Sequence, residues 1–453
     1  MNQDSTNNVI VRYPPSPTGG LHVGNLRTLV FSYLFAKKHN GKIIYRSEDT
    51  DLARSKPEHE DYAKEAFAWL GMDYDEFYRQ SERTEIYQKY LQDLIASGKA
   101  YVSEESHTAE DLTKAQELGK TLRQSVIRFK NPNITITFYD EVIGEVSVDT
   151  TELGDFVIAK DMEYPLYHLT VVVDDYEMGI THVIRGADHI ANTPRQILIQ
   201  EAIGAPRPIY AHVPLVVGAD GKKLGKRHGA TATLEYRESG YLSDAFLNFL
   251  AFIGWNPGTE QEIFTREDLI ATFSLERIQK SPGVFNEEKL KWFNREHLKL
   301  QSPEELEDMI LPLIGSLPGY TREIGTRIVP MILERIHTLT DIALLIEGGE
   351  LQYYFQQPSI DMEKLVWKNS DLETARKHLT YILESLGGYG GVWEGEALKD
   401  FLWEYASEHG RGDVLWPLRF VLSGRDKSPD PFALLSSLGK EESLMRIQAV
   451  LSQ

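Results

Sequence analysis

The chain has 453 residues, 42% apolar and 26% charged, with 68 acidic against 48 basic side chains and a formal net charge of −20. That is more than one core can hold, since single cores stop growing near roughly 250–300 residues, and the composition excludes disordered and collagenous classes. Cysteine is absent, which removes disulfides, thiolate nucleophiles and cysteine-ligated zinc. No run approaches the roughly 20 apolar residues of a membrane span. The polar start MNQDSTNN lacks the basic flank and apolar centre of a signal peptide. The expectation is a cytoplasmic protein with no membrane partner, read as a monomer. The acidic balance argues only weakly against nucleic acid, because binding needs just a local basic surface.

The β-branched run VIVRY (Val9–Tyr13) reads as a buried strand. After it come a turn rich in proline and glycine and then NLRTLVFSYLFAKKHNG. Leu26, Leu29, Val30, Tyr33 and Leu34 fall on one helix face, and Lys37, Lys38 and His39 suit its last turn. KIIYR is a second strand. Strand, glycine turn, helix and strand make a βαβ unit of nucleotide-binding type. The dinucleotide fingerprint GxGxxG is absent. Gly19 and Gly24 have P-loop spacing, but Asn25 and Leu26 stand where lysine and Ser/Thr belong. What remains is a turn whose glycines let a ligand approach, a helix N-terminus suited to phosphate, and His22 beside it. Taken alone, the segment could also be a structural turn with a surface histidine.

Further along, SVIRF, ITITFYD, EVSVD and DFVIAKD alternate with the two-residue period of strands. THVIRG is another strand. Thr193 is expected to cap the next helix, with Pro194 at its first position and Gly204 ending it. Arg185 closes the one strand and Arg12 nears the end of the other, where ligands bind in open parallel sheets. Such convergence is not what packing alone predicts. GKKLGKRHG (Gly221–Gly229) crowds Lys222, Lys223, Lys226 and Arg227 between glycines. By itself it would be a solvated surface. Beside a His-Gly helix start it suits a triphosphate, for which lysines are good point-charge partners. SDAFLNFLAFIGW and the segments beyond it to about Leu300 read as mostly helical. Ser302-Pro303-Glu304-Glu305 starts a further helix, and the rest of the chain reads as helices broken at GG and PG.

PSPTGGLHVGN, from Pro15, Ser16, Pro17, Thr18, Gly19, Gly20, Leu21, His22, Val23 and Gly24 to Asn25, resembles the HIGH motif of class I aminoacyl-tRNA synthetases. KLGKR, which is Lys223, Leu224, Gly225, Lys226 and Arg227, resembles their KMSKS motif. Together with RSEDTDLARS, YHLTVVVDDYEMGITHVIRGADHIANTPRQ and the more distant LWPLRFVLSGRDKSPDPF, these words resemble bacterial glutamyl-tRNA synthetases. The resemblance implies an α/β fold, with a Rossmann-like parallel sheet, an inserted α+β acceptor-binding domain and an all-helical anticodon-binding region. It implies a nucleotide-binding fold in two halves, 1–92 and 175–215, an insertion at 93–174, a loop and stem-contact domain at 216–302, and helices at 303–453 dividing near 380.

The activity implied is ATP-dependent ligation of L-glutamate to tRNA(Glu) through glutamyl-adenylate, with no covalent nucleophile from the protein. His22, Lys223 and Lys226 would be catalytic, and His22, Gly24 and Lys226 would bind ATP, which brings Mg2+. Arg12, Ser16, Glu48, Tyr167 and Arg185 would bind glutamate, a guanidinium holding its side-chain carboxylate and Glu48 its ammonium. The family's activation of glutamate depends on bound tRNA. This chain departs at Gly225, where the motif has serine, and at Asn25, where it has a second histidine. Val171 stands where some relatives carry a polar residue. In AYVSEESHTAEDL, serine and valine replace the cysteines of a zinc module and only His107 is a plausible ligand, so no zinc and no other protein-held metal is expected. Charging of tRNA(Gln) as well stays open. A truncated relative acting on an anticodon base lacks the helical region, and an inactive RNA-binding paralogue would have lost the motif residues.

Overall fold

The computed structural model describes residues 9–51, 53–105, 123–222, 224 and 232–453. The chain divides into two units, Met1–Phe293 and Asn294–Gln453.

In the first unit, β1 (Ile10–Tyr13), β2 (Lys42–Ser47) and β3 (Glu76–Arg79) form a parallel sheet with β2 in the middle. The turn from α1 (Val23–Lys38) into β2 needs Asn40 at φ 50° and then a glycine, because a Cβ at Gly41 would strike the Val9 carbonyl. A second sheet runs in the order β7 (Gly144–Asp149), β6 (Thr135–Asp140), β10 (Ile209–Val213), β9 (His182–Gly186). Here β9, β10 and β6 are parallel and β7 pairs antiparallel with β6. The sheets adjoin at β1 and β9, where Thr181 N–H donates to the Ile10 carbonyl at 3.0 Å. The C-terminal ends of β1, β2 and β9 therefore open at one place.

Helix α1 differs from the amphipathic reading. It begins at Val23, and Val23, Leu26, Leu29, Val30, Phe31, Leu34 and Ala36 are all buried. It packs on the sheet and also against Ser243–Phe252, so the one apolar stripe was only half of its buried surface. Each large apolar side chain among them contributes about 1.5–3 kcal/mol by leaving water.

The hairpin β6–β7 extends the sheet of β9 and β10, whereas β4 (Ala100–Glu104), β5 (Ser125–Phe129) and β8 (Phe156–Ala159) form their own antiparallel sheet. The two-residue period that marks these segments as strands carries no information about which sheet each joins. β11 (Val216–Val217) pairs with β12 (Gly283–Val284), and Gly218 N–H closes a turn onto the Lys222 carbonyl.

The second unit is helical. Ser302 and Glu305 form a full capping box at the start of Pro303–Ile314, satisfying two otherwise orphaned donors. Asp371 and Asp430 cap Leu372–Gly388 and Pro431–Leu438. Arg446 is buried and donates to the carbonyls of Leu422 (2.6 Å), Tyr353 (2.7 Å) and Gln356 (3.3 Å). It ties two chain segments, residues 352–356 and the end of Arg411–Ser423, to the helix Lys440–Leu451, and an apolar residue in its place would leave those acceptors unpaired.

Candidate active site

The glycine turn leads from β1 into α1 with His22 at the N-cap position, extended at φ −106° and ψ 162°. The ring lies over Gly24, where a Cβ would come within 3.3 Å of Nδ1 and Cε1. A side chain at position 24 would crowd the imidazole, which would have to give way by a few tenths of an ångström. Pro15 O accepts from Glu48 N–H at 3.2 Å and Pro17 O from Lys56 N–H at 2.9 Å, so the chain beyond β2 braces the turn. Pro15, Ser16, Pro17, Gly19, Gly20, Leu21, Asn25, Tyr45, His59 and Ala63 line one small cavity. Ser16, Thr18 and His22 are exposed, while Leu21 and Val23 are buried.

Lys223, Gly225, Lys226 and Arg227 lie outside the described residues, as does His107; Leu224 is partly buried against the core. The chain after the cationic loop is well anchored. Ala232 bridges His22, and Thr233 donates to the Leu21 carbonyl through N–H (3.2 Å) and Oγ1 (2.7 Å). The segment leaving one motif thus lands on the other.

At the ends of β1, β2 and β9 lies a nest of charges. Arg12 is buried; its Nε donates to Asp175 at 3.2 Å and its Nη1 to the Ile184 carbonyl at 3.5 Å. Arg46, fully buried, donates to Asp175 at 2.7 Å and to Glu48 at 3.0 Å, with Asp174 at 3.9 Å from its Nε. Asp174 also accepts from Arg83 (2.7 Å), Tyr87 (2.8 Å) and Gln80 (2.9 Å). Arg12, Arg46 and Arg83 here meet Glu48, Asp174 and Asp175. Burial raises the Glu48 carboxyl above its ordinary range, against the pull of Arg46 and Arg12. Burial also pushes Asp175 up, but Arg12 and Arg46 outweigh it and hold that carboxyl low.

Arg185 is different. It is buried, and its hydrogen bonds go to His212 Nε2 (3.0 Å), Gln196 Oε1 (2.7 Å) and Thr193 Oγ1 (2.8 Å). Among the described residues it has no carboxylate partner, and burial lowers its pKa. Tyr167 donates to or accepts from His189 at 3.1 Å. Burial raises its phenol, with Glu48 adding and Arg185 and Arg12 opposing, so these four groups feel one another's fields.

Arg12, Glu48, Tyr167 and Arg185 therefore gather at one place, while Ser16 lines the neighbouring small cavity. Thr193 is a correction: Asn192 is the N-cap and Thr193 the first residue of the helix Thr193–Ile203, its hydroxyl drawn inward to accept from Arg185. Sequence reading missed Arg46, Asp174, Asp175, Gln196 and His212. A signal did exist in the apolar run LTVVVDDY, whose adjacent acids sit toward a helix C-terminus where the dipole disfavours them, so each needs a cation.

Residues 8–292 match the family model described as tRNA synthetases class I (E and Q), catalytic domain, and residues 291–451 match an anticodon binding domain. The first unit, with its βαβ turn, corresponds to the first of these matches and the helical second unit to the second. The glutamate–tRNA ligase of Thermodesulfovibrio yellowstonii is 39% identical, over 98% of this chain and 99% of that protein. That of Carboxydothermus hydrogenoformans is 40% identical over 97% and 99%. The solved glutamate tRNA ligase of Elizabethkingia meningosepticum, crystallised in complex with its amino acid, superposes with a TM-score of 0.81 at 31% identity, covering 99% of this chain and 100% of that one. The chain belongs to the glutamate–tRNA ligases of class I.

Proposed function

We propose that the nest at the ends of β1, β2 and β9 holds L-glutamate, and that the glycine turn and cationic loop hold ATP. The α-carboxylate of glutamate attacks the α-phosphorus, pyrophosphate leaves, and the terminal adenosine of tRNA(Glu) then takes the glutamyl group with release of AMP. The observation that carries this reading is Arg185, a buried cation whose hydrogen bonds all go to neutral groups. Burying an unpaired charge is costly, and a substrate carboxylate removes that cost when it binds. Arg12 is already committed to Asp175, so it supplies field and shape more than the primary ion pair. Glu48, raised by burial, gains from the substrate ammonium the countercharge that ionises it.

His22, Gly24 and the first turn of α1 would meet the phosphates. Lys223 and Lys226 would follow the charge that develops on the departing pyrophosphate. Catalysis is then positioning and charge stabilisation, with no protein nucleophile. Mg2+ enters with ATP, its oxygens being the main ligands, and no zinc is held. The enzyme works as a monomer in the cytoplasm.

In the helical unit, Arg425 and Lys427 line a cavity of about 490 Å³ with Arg335, Glu334, Glu350 and Asp430. Arg419 lies 4.6 Å over the ring of Trp416. The three cations of that cavity are matched by its three acids, and it is the cationic loop that supports a surface for tRNA phosphates. Charging purified tRNA(Glu) and tRNA(Gln) side by side with labelled glutamate tests the reading. Charging of tRNA(Glu) alone marks a discriminating enzyme, charging of both a non-discriminating one, and charging of neither refutes it.

A further inference from the structure

Behind Arg185 lies a pair of buried groups that the reaction does not use. His212, on β10, is directly opposite Arg185 in the parallel register of β9 and β10. Its Nδ1 lies 2.6 Å from Asp140 Oδ2, and both side chains are fully buried. Asp140 stands at the end of β6, beside Tyr210 of β10. Its Oδ1 accepts backbone N–H groups of Val142 (3.0 Å) and Ile143 (2.9 Å), and the His212 N–H is shared between Oδ2 (3.0 Å) and Oδ1 (3.2 Å). On the far side of the imidazole, Nε2 is 3.0 Å from Arg185 Nε and 3.1 Å from Thr193 Oγ1.

Chemistry leaves one arrangement of protons. Arg185 Nε–H can only donate, so His212 Nε2 must be a lone pair. The proton of the neutral ring then sits on Nδ1 and points at a carboxylate, which can only accept. Each of these hydrogen-bond partners of the Asp140 carboxylate is a donor, so it stays ionised. Burial pushes it up, but the bond from His212 and the backbone N–H groups prevail and keep it low. Burial likewise keeps His212 neutral, with Arg185 adding to that effect against Asp140.

We propose that Asp140 and His212 are positioning residues for the amino-acid site. Asp140 fixes the imidazole tautomer, the imidazole fixes Arg185 through Nε, and Thr193 and Gln196 hold the two outer nitrogens. The guanidinium is then presented to the substrate in one orientation, with its remaining N–H groups free for the carboxylate of an acidic side chain. Neutral hydrogen-bond partners leave the positive charge of Arg185 to the substrate, which favours glutamate over an uncharged analogue. The inference rests on the reading of Arg185 as the carboxylate receiver.

Asp140→Asn is the test. The backbone N–H groups of Val142 and Ile143 keep the amide oxygen at the Oδ1 position, so the amide N–H₂ faces His212 Nδ1. The ring must then accept there and carry its proton on Nε2, against Arg185 Nε–H. The same isosteric exchange beside a catalytic histidine leaves it in the wrong tautomer in serine proteases. In the full-length enzyme with tRNA(Glu), the expected result is a glutamate KM raised about 10–100-fold, an ATP KM unchanged, and a smaller preference for glutamate over glutamine.

Arg185→Gln separates the two claims. If it raises the glutamate KM while a folded Asp140→Asn enzyme keeps a normal one, the positioning role is overturned and the reading of Arg185 stands. If Arg185→Gln leaves glutamate KM unchanged, the reading itself falls and the positioning role with it. Should Asp140→Asn not fold, ¹⁵N NMR of the histidine-labelled wild-type enzyme decides. A neutral His212 protonated on Nδ1 supports the role, and a proton on Nε2 overturns it.

Discussion

Arg46 and Glu48 lie two residues apart at the end of β2, and the guanidinium of the first donates to the carboxylate of the second at 3.0 Å while also holding Asp175 at 2.7 Å. One buried side chain thus fixes both the proposed ammonium receiver and, through Asp175, Arg12. Arg46→Lys keeps the charge but loses the fork, and an ammonium cannot hold two partners set to a planar guanidinium. A lost charge-assisted hydrogen bond is worth about 1.5–3 kcal/mol, so the glutamate KM should rise roughly 10–100-fold. Steady-state charging at varied glutamate and ATP checks this. Equal rises in both KM values would mean general damage and not a role at the amino-acid end.

Lys226→Ala should cut adenylate formation by roughly 10²–10³-fold, the usual loss for one preorganised donor to developing charge. Glutamate affinity should barely move, because the role proposed for the lysine is at the phosphate end. Single-turnover measurements with tRNA present separate the two, and an unchanged rate would take Lys226 out of the mechanism.

Why was so much of this site legible from sequence, and its support so little? Arg12 and Arg185 announce themselves as lone cations at the ends of apolar strands, and His22 and Gly24 as breakers before a helix. Local pattern carries that much. Arg46 has the same character, an arginine inside KIIYRS, but its partner Asp175 lies 129 positions away on a helix, and its meaning depends on which elements are neighbours. His212 reads as an ordinary buried histidine until β6 is found beside β10, a pairing that no two-residue period can specify. Thr193 fails for a related reason: its local preference is to cap, yet Arg185 at 2.8 Å is the stronger claim on its oxygen.

Stability should fall between neutral pH and pH 4. His182 is buried, its Nδ1 is 2.8 Å from Thr181 Oγ1 and its ring packs on Phe35 at 4.9 Å. Burial, with a smaller push from His39, lowers its pKa from 6.5 to about 4. Between those values the unfolded chain binds more protons than the folded one, so stability is full above pH 6.5 and is lost as pH drops toward 4. The loss from this one group is on the order of 3 kcal/mol at most. His182→Asn, which retains an acceptor or donor near the Nδ1 position but does not titrate, should flatten that part of the pH–stability curve. Urea melts at pH 7 and pH 5 measure it, and an identical pH slope in both proteins would sink the assignment.

A protein of formal charge −20 that uses RNA must collect its basic groups locally and keep its acids elsewhere. Lys222, Lys223, Lys226, Arg227 and His228 collect in sequence in the cationic loop. In the helical unit, by contrast, Arg335, Arg425 and Lys427 share a cavity with Glu334, Glu350 and Asp430, so the charges there are balanced. Affinity for tRNA should then fall with salt along a log–log line whose slope counts the phosphates neutralised. The proposed amino-acid site gives a reason for coupling to the same RNA. Its buried cation Arg185 is unpaired by any carboxylate among the described residues. A pocket of that kind gains from a partner that shifts it toward the form competent to take glutamate. Glutamate-dependent exchange of pyrophosphate into ATP should accordingly appear only when tRNA(Glu) is added. Flat salt dependence would refute a locally basic RNA surface, and robust exchange without RNA would refute the coupling while leaving the proposed amino-acid site untouched.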